Sequence, residues 1–134
     1  MSLSEKQIRE LVEYWVINST EKLKTMINLY NGCRYADCLY YGHMVLEMIL
    51  KANVVNITKK SSPKIHNLSR LAELANIDLD KEDSSLLFRA NRFNMTGRYP
   101  DEKMKFYKIC DKKYTDEYYL PIINLYKKLC QKVK

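Results

Sequence analysis

Within YYGHMVLEMILKA, residues 40–52, an otherwise apolar stretch carries His43, Glu47 and Lys51 at intervals of four. At that spacing the three side chains lie along one line of an α-helix, an imidazole and an ammonium flanking a carboxylate. Such a line could pass a proton, or it could close a chain of hydrogen bonds. If buried, Glu47 needs a cation, because an unpaired carboxylate in a core costs several kcal/mol or gives up its charge. A satisfied carboxylate beside a surface-reaching lysine is the plainer reading of the same pattern.

Three further groups have the residue types for recognition. Arg89 and Arg92 share a helix face, and Arg98 leaves that helix in GRYPD just before Pro100. A guanidinium held so firmly suits two-pronged contact with a phosphate or a carboxylate, and Glu47 is the internal carboxylate that would fit Arg98 best. His66, in PKIHNLSRL, stands among lysines that would draw an anion towards it, although a histidine there also serves as a cap. Tyr99, Tyr107, Tyr114, Tyr118 and Tyr119 alternate with lysines as base-stacking surfaces do, and equally as core or rim tyrosines do.

These groups require helices to place them. With 3 glycines and 3 prolines in 134 residues, hairpins have little room. A first long helix runs from a capping box at Ser4 and Gln7 through Ile8, Leu11, Val12, Trp15, Leu23, Met26, Ile27 and Tyr30 to a cap at Gly32. A second, from about Tyr35 to Asn53, is apolar nearly all round and so belongs in the middle of a bundle. NITKKSSPKIHN reads as a loop, LSRLAELA as a short helix, and Asp83 or Ser84 as the cap of a helix ending before Pro100. The last helix spans about Asp116 to Lys132 with Pro121 in its first turn. DEKMKFYKICDKKY fits either a turn or the start of that last helix. The whole reads as one all-α domain over residues 1–134, an up-and-down four-helix bundle with an additional short helix.

Composition narrows the chemistry. The 23 Lys and Arg against 16 Asp and Glu give a net charge of +7, and the excess is uneven. Residues 57–70 carry Lys59, Lys60, Lys64 and Arg70 with no acid, a field that favours polyanions or an acidic partner. The 4 cysteines show no CxxC spacing, the 2 histidines no metal-ligand spacing, and no Gly-rich phosphate loop or nucleophile elbow occurs. No metal or cofactor is expected. With no long apolar run and a polar start, a soluble, cytoplasmic protein that keeps off the membrane is expected.

The order of these features resembles that of HEPN domains, helical modules associated with nucleotide binding. The likeness runs through RYADCLYYGHMVLEMILKANVV with Glu47, Lys51 and Ala52, through Pro63, His66, Leu68 and Leu71 of SPKIHNLSRLAELANI, and through the Arg-Tyr-Pro of NRFNMTGRYPD. It covers about residues 10 to 130. It implies a helical bundle, often dimeric and often encoded beside a minimal nucleotidyltransferase. Many such proteins cleave RNA as toxins with an Arg, four to six residues, then a His. Here the positions preceding His43 at that spacing hold ADC and those preceding His66 hold KKS, so the motif is absent. Lacking it, the chain lacks the usual proton-transfer group for attack by a 2′-hydroxyl. The resemblance therefore implies a non-catalytic homodimer in a toxin–antitoxin-type system, binding a nucleotide, RNA or a minimal nucleotidyltransferase through Lys51, His66, Arg92, Arg98 and Tyr99. Two alternatives stand beside it: an RNA-cleaving toxin with an altered site, and a purely structural interaction module in which Glu47 and Arg98 form a buried pair.

Overall fold

The structure, a computed structural model, describes residues 2–95 and 99–133. Among them are six helices and no strand: α1 (Glu5–Asn31), α2 (Tyr35–Thr58), α3 (Leu68–Leu74), α4 (Lys81–Met95), α5 (Pro100–Ile109) and α6 (Lys112–Val133). None of them is long and apolar enough to cross a membrane. The all-α expectation holds.

α1 begins where its capping box predicts, the Ser4 hydroxyl accepting from the Gln7 N–H while Gln7 Oε1 accepts from the Ser4 N–H. Its other end differs from expectation. Gly32 keeps an ordinary φ of −86°, and Cys33, at φ 59°, takes the left-handed position of a Schellman turn in which Arg34 N–H reaches Leu29 O. A side chain there costs about 1 kcal/mol. Ser19, which interrupts the apolar stripe, is fully buried and bonds Tyr126 of α6 at 2.9 Å.

α2 packs against every other helix, which is why nearly its whole circumference is apolar. It runs to Thr58, five residues beyond the expected end. Val54 and Val55 are buried, and the Asn53 amide donates to Leu129 O of α6, so packing outweighs the weak helix propensity of NVVNIT. At Gly42 neighbouring side chains close in on the backbone of α2: a Cβ would stand 3.0 Å from the Ile122 side chain of α6 and 3.5 Å from that of Met26 of α1. Contacts along the helices give their directions. Trp15 and Met26 of α1 meet Lys51 and Gly42, hence α1 is antiparallel to α2. Gly42 and Asn53 meet Ile122 and Leu129, so α6 runs parallel to α2, whereas Asp83 and Phe93 of α4 meet Lys128 and Tyr118, so α4 runs against α6.

Two boundaries are corrected in the second half. The cap of α4 is Asp80, whose carboxylate accepts from Asp83 N–H at 2.8 Å, rather than Asp83 or Ser84. The cap of α6 is Asp111, accepting from Tyr114 N–H, so α6 starts four residues early and Pro121 lies mid-helix instead of in the first turn. A mid-helix proline costs about 3 kcal/mol. The helix continues because Ile122, Leu125, Tyr126 and Leu129 are buried beyond it while Pro121 itself faces solvent. Between these two helices α5 is a helix of its own, with Pro100 at its first position and Phe106 packed on Phe93 at 5.5 Å between ring centres.

Candidate functional site

Glu47 is the hub of a polar cluster inside the bundle. Its Oε2 accepts from Lys51 Nζ at 2.9 Å, and both carboxylate oxygens face His66 Nδ1, at 3.1 and 3.2 Å. Since a carboxylate only accepts, His66 carries its proton on Nδ1. His43 completes the group from the other side, its Nε2 3.1 Å from the His66 carbonyl oxygen and its Nδ1 3.6 Å from Glu47 Oε1. A carbonyl too can only accept, so Nε2 bears the hydrogen.

Burial sets the charges. His43 is 0 % exposed, and loss of hydration is the dominant influence on its imidazole, lowering the pKa to about 4 against the opposing pull of Glu47. The ring is neutral at pH 7, and Nδ1 is a bare lone pair with no hydrogen-bond partner among the described residues. It faces a carboxylate, an unfavourable arrangement compensated by the two donors that Glu47 takes from Lys51 and His66. Lys51, 6 % exposed, also lies 5.3 Å over the Trp15 ring of α1. The cluster thus ties α1, α2 and the α2–α3 loop together.

The loop's last turn is held from α4. Asn67 caps α3 by accepting from Arg70 N–H, while Asn91 of α4 accepts from Leu68 N–H at 2.7 Å and donates to Asn67. His66 is consequently fixed in position, although its ring is about half exposed (49 %). Upstream, Lys59, Lys60 and Lys64 are exposed and none has an acidic partner among the described residues, whereas Arg70 is engaged by Glu73 at 2.9 Å.

The residues singled out in the sequence fare differently. Glu47, Lys51 and His66 come together. Lys51 is a buried, paired ammonium and not a cation at the rim of a cleft, because its helix is enclosed on that side by α1. Arg92 is exposed on α4, where its charge acts on Cys110 and Tyr114, and Tyr99, 59 % exposed, caps α5. No contact among the described residues joins either to Lys51 or His66. Arg98 lies outside the described residues, and with it the Glu47–Arg98 pair. Of the lysine-interleaved tyrosines, Tyr118 is buried against Phe93, Tyr114 is half-buried against Tyr118 and Tyr119 stacks on Tyr30 at 3.8 Å, leaving Tyr99 and Tyr107 exposed. In the sequence Trp15 reads only as part of the apolar stripe of α1 and Asn67 only as part of a loop, and nothing there assigns a role to Asn91. Asn91 had one signal, a polar residue of low helix propensity next to the buried Ala90.

No group of three or more His, Cys, Asp or Glu among the described residues could hold a metal ion. Cys38 and Cys110 are buried thiols pushed up to about 12, first by desolvation, and so are poor nucleophiles. What remains chemically is a positively charged loop with a histidine anchored at its end.

No curated protein and no solved structure matches this chain. The family model of the HEPN domain does match, over residues 12–134, and the chain belongs to the HEPN family.

Proposed function

We propose that this protein is a non-catalytic HEPN module that binds a nucleotide or RNA through its α2–α3 loop. One observation carries the reading: Lys59, Lys60 and Lys64 project from a loop with no acidic partner among the described residues, and that loop is pinned to the bundle through His66 and Asn67. Unpaired cations on an anchored backbone are available to phosphates at little ordering cost. The Arg-x4-6-His pattern is missing, which supports binding without cleavage. Arg92, Arg98 and Tyr99 are proposed as further ligand-binding residues on the strength of residue type and the family resemblance. Homodimerisation, a cytoplasmic setting and pairing with a minimal nucleotidyltransferase in a toxin–antitoxin-type system extend this proposal and rest on family membership alone.

Titration with nucleotides and a short single-stranded RNA at low and moderate salt tests the reading. If three phosphates are neutralised, log affinity falls with log salt at a slope of about −2. Binding that is absent at both salts, or insensitive to salt, defeats it. A second reading has one observation in its favour. Glu47 behind His66 Nδ1 forms a carboxylate–imidazole pair that leaves Nε2 without a partner among the described residues, the form of a general base. RNA fragments that vanish with His66→Ala would establish that altered-site ribonuclease. RNA left intact under enzyme excess would remove it.

A further inference from the structure

A second site lies at the other end of α2, away from the loop. Asp37, Tyr40 and Tyr41 occupy positions i, i+3 and i+4 of α2, and Lys103, Phe106 and Tyr107 occupy the same positions of α5. Residues so spaced share a helix face. The two faces oppose each other across a pocket of about 210 Å³ that all six residues line. Phe106, 4 % exposed, is its most buried wall, and the rings of Tyr40 and Tyr41 stand at 81° to one another.

Two properties of the walls point to the ligand. The tyrosine faces carry the negative side of a ring quadrupole, and they already draw cations: Lys22 of α1 lies 5.9 Å from the Tyr41 ring centre and Lys103 lies 5.6 Å from that of Tyr107. Asp37 adds a full negative charge. Its Oδ1 accepts from the Tyr107 hydroxyl at 3.2 Å, and no cation lies within ion-pair distance of it among the described residues. Several other acids of the chain also lack an ion pair among the described residues; what sets Asp37 apart is that it stands in a pocket walled by aromatic rings.

We propose that this pocket binds a small, weakly hydrated organic cation of the quaternary-ammonium type between Tyr40, Tyr41 and Tyr107, with Asp37 as its counter-charge. Size and hydration select the class. The volume falls below the roughly 300 Å³ at which drug-sized pockets begin, so it admits a compact head group. A primary ammonium keeps its water strongly, and the chain's own Lys22 and Lys103 remain out at the edge of the cation–π range. An alkylated nitrogen sheds water more easily and gains more from the rings. Although Lys22 and Lys103 stand at the edge of the pocket, an anion would face Asp37 and the negative ring faces, and a neutral ligand forgoes both interactions.

Choline is the probe, with 3,3-dimethylbutanol as an uncharged molecule of the same shape. Titrated into the full chain and followed by NMR, choline is expected to saturate at millimolar concentration, with shifts confined to α2 around Asp37–Tyr41 and α5 around Tyr107; the alcohol is expected to produce none. Asp37→Asn should weaken choline by about fivefold and Tyr107→Leu by about two- to fivefold. Lys103→Met, which removes a competing ammonium from the Tyr107 face, should tighten it by a similar factor. Absence of saturation, or equal responses to choline and the alcohol in the unmodified chain, overturns the proposal. That comparison needs no variant and is unaffected if one folds poorly; unfolding melts monitored by circular dichroism check each variant used.

Discussion

Lys51 and Lys64 are the same residue type on either side of one turn of chain, and they have opposite fates. The first is buried against Trp15 with its ammonium on Glu47, while the second is exposed and has no acidic partner among the described residues. The same division separates the two histidines. His43 is inside, neutral and committed to a backbone carbonyl, whereas His66 has one nitrogen on Glu47 and half its ring in solvent. In the cluster, polar groups are spent on one another and hold helices together; in the loop they are left over for something outside. Residue type did not decide between these roles. Burial within the bundle did.

The largest test of that contrast is Glu47→Ala. It leaves the Lys51 ammonium buried without its carboxylate, and urea unfolding should show a loss of about 4 kcal/mol. A loss below about 1 kcal/mol would mean that the cluster is not structural. Next comes acid. The unfolded chain's His43 titrates near 6.5 and the folded one near 4, so between these values the unfolded state holds more protons. The stabilisation that is present above pH 6.5 is therefore lost as pH falls towards 4, by about 3 kcal/mol in all. His43→Asn should flatten that part of the pH–stability profile.

Lys51→Met sharpens the comparison further. The alkyl chain over Trp15 is kept and Glu47 retains His66 as a donor, so the expected cost is only about 1–2 kcal/mol. The loop stands at the far end of the scale. Lys60→Ala together with Lys64→Ala should change stability by less than about 0.5 kcal/mol yet weaken RNA binding by about tenfold and flatten its salt dependence. If the loop double variant unfolds the protein, the division between the two regions is wrong.

Much of this fold could be read along the chain because its signals are local. The Ser4–Gln7 box, the helical spacing of α1 and the all-round apolarity of α2 depend on residues within a few turns of one another. The errors arose where distant packing outweighed local preference. α2 outran its β-branched end because α6 covers it, and α6 began at Asp111 and passed through Pro121 because its later turns are anchored in the core. Cys33 in a left-handed turn beside Gly32 is a similar case, the local rule favouring the glycine.

The site divides along the same line. Helical periodicity was enough to align His43, Glu47 and Lys51 on one face and to show that Glu47 needs a donor. It could not supply His66, 19 residues away across the loop, nor Trp15 and Asn91 from two other helices. The amino-acid sequence by itself determined an all-helical chain, its excess of positive charge and the absence of the ribonuclease spacing, since each is a property of neighbours or of totals. Only the tertiary structure decided which lysines are enclosed, which carboxylate receives which donor and where two tyrosine-bearing faces meet. Burial and pairing depend on elements far apart in sequence, and spacing along one helix carries no record of them.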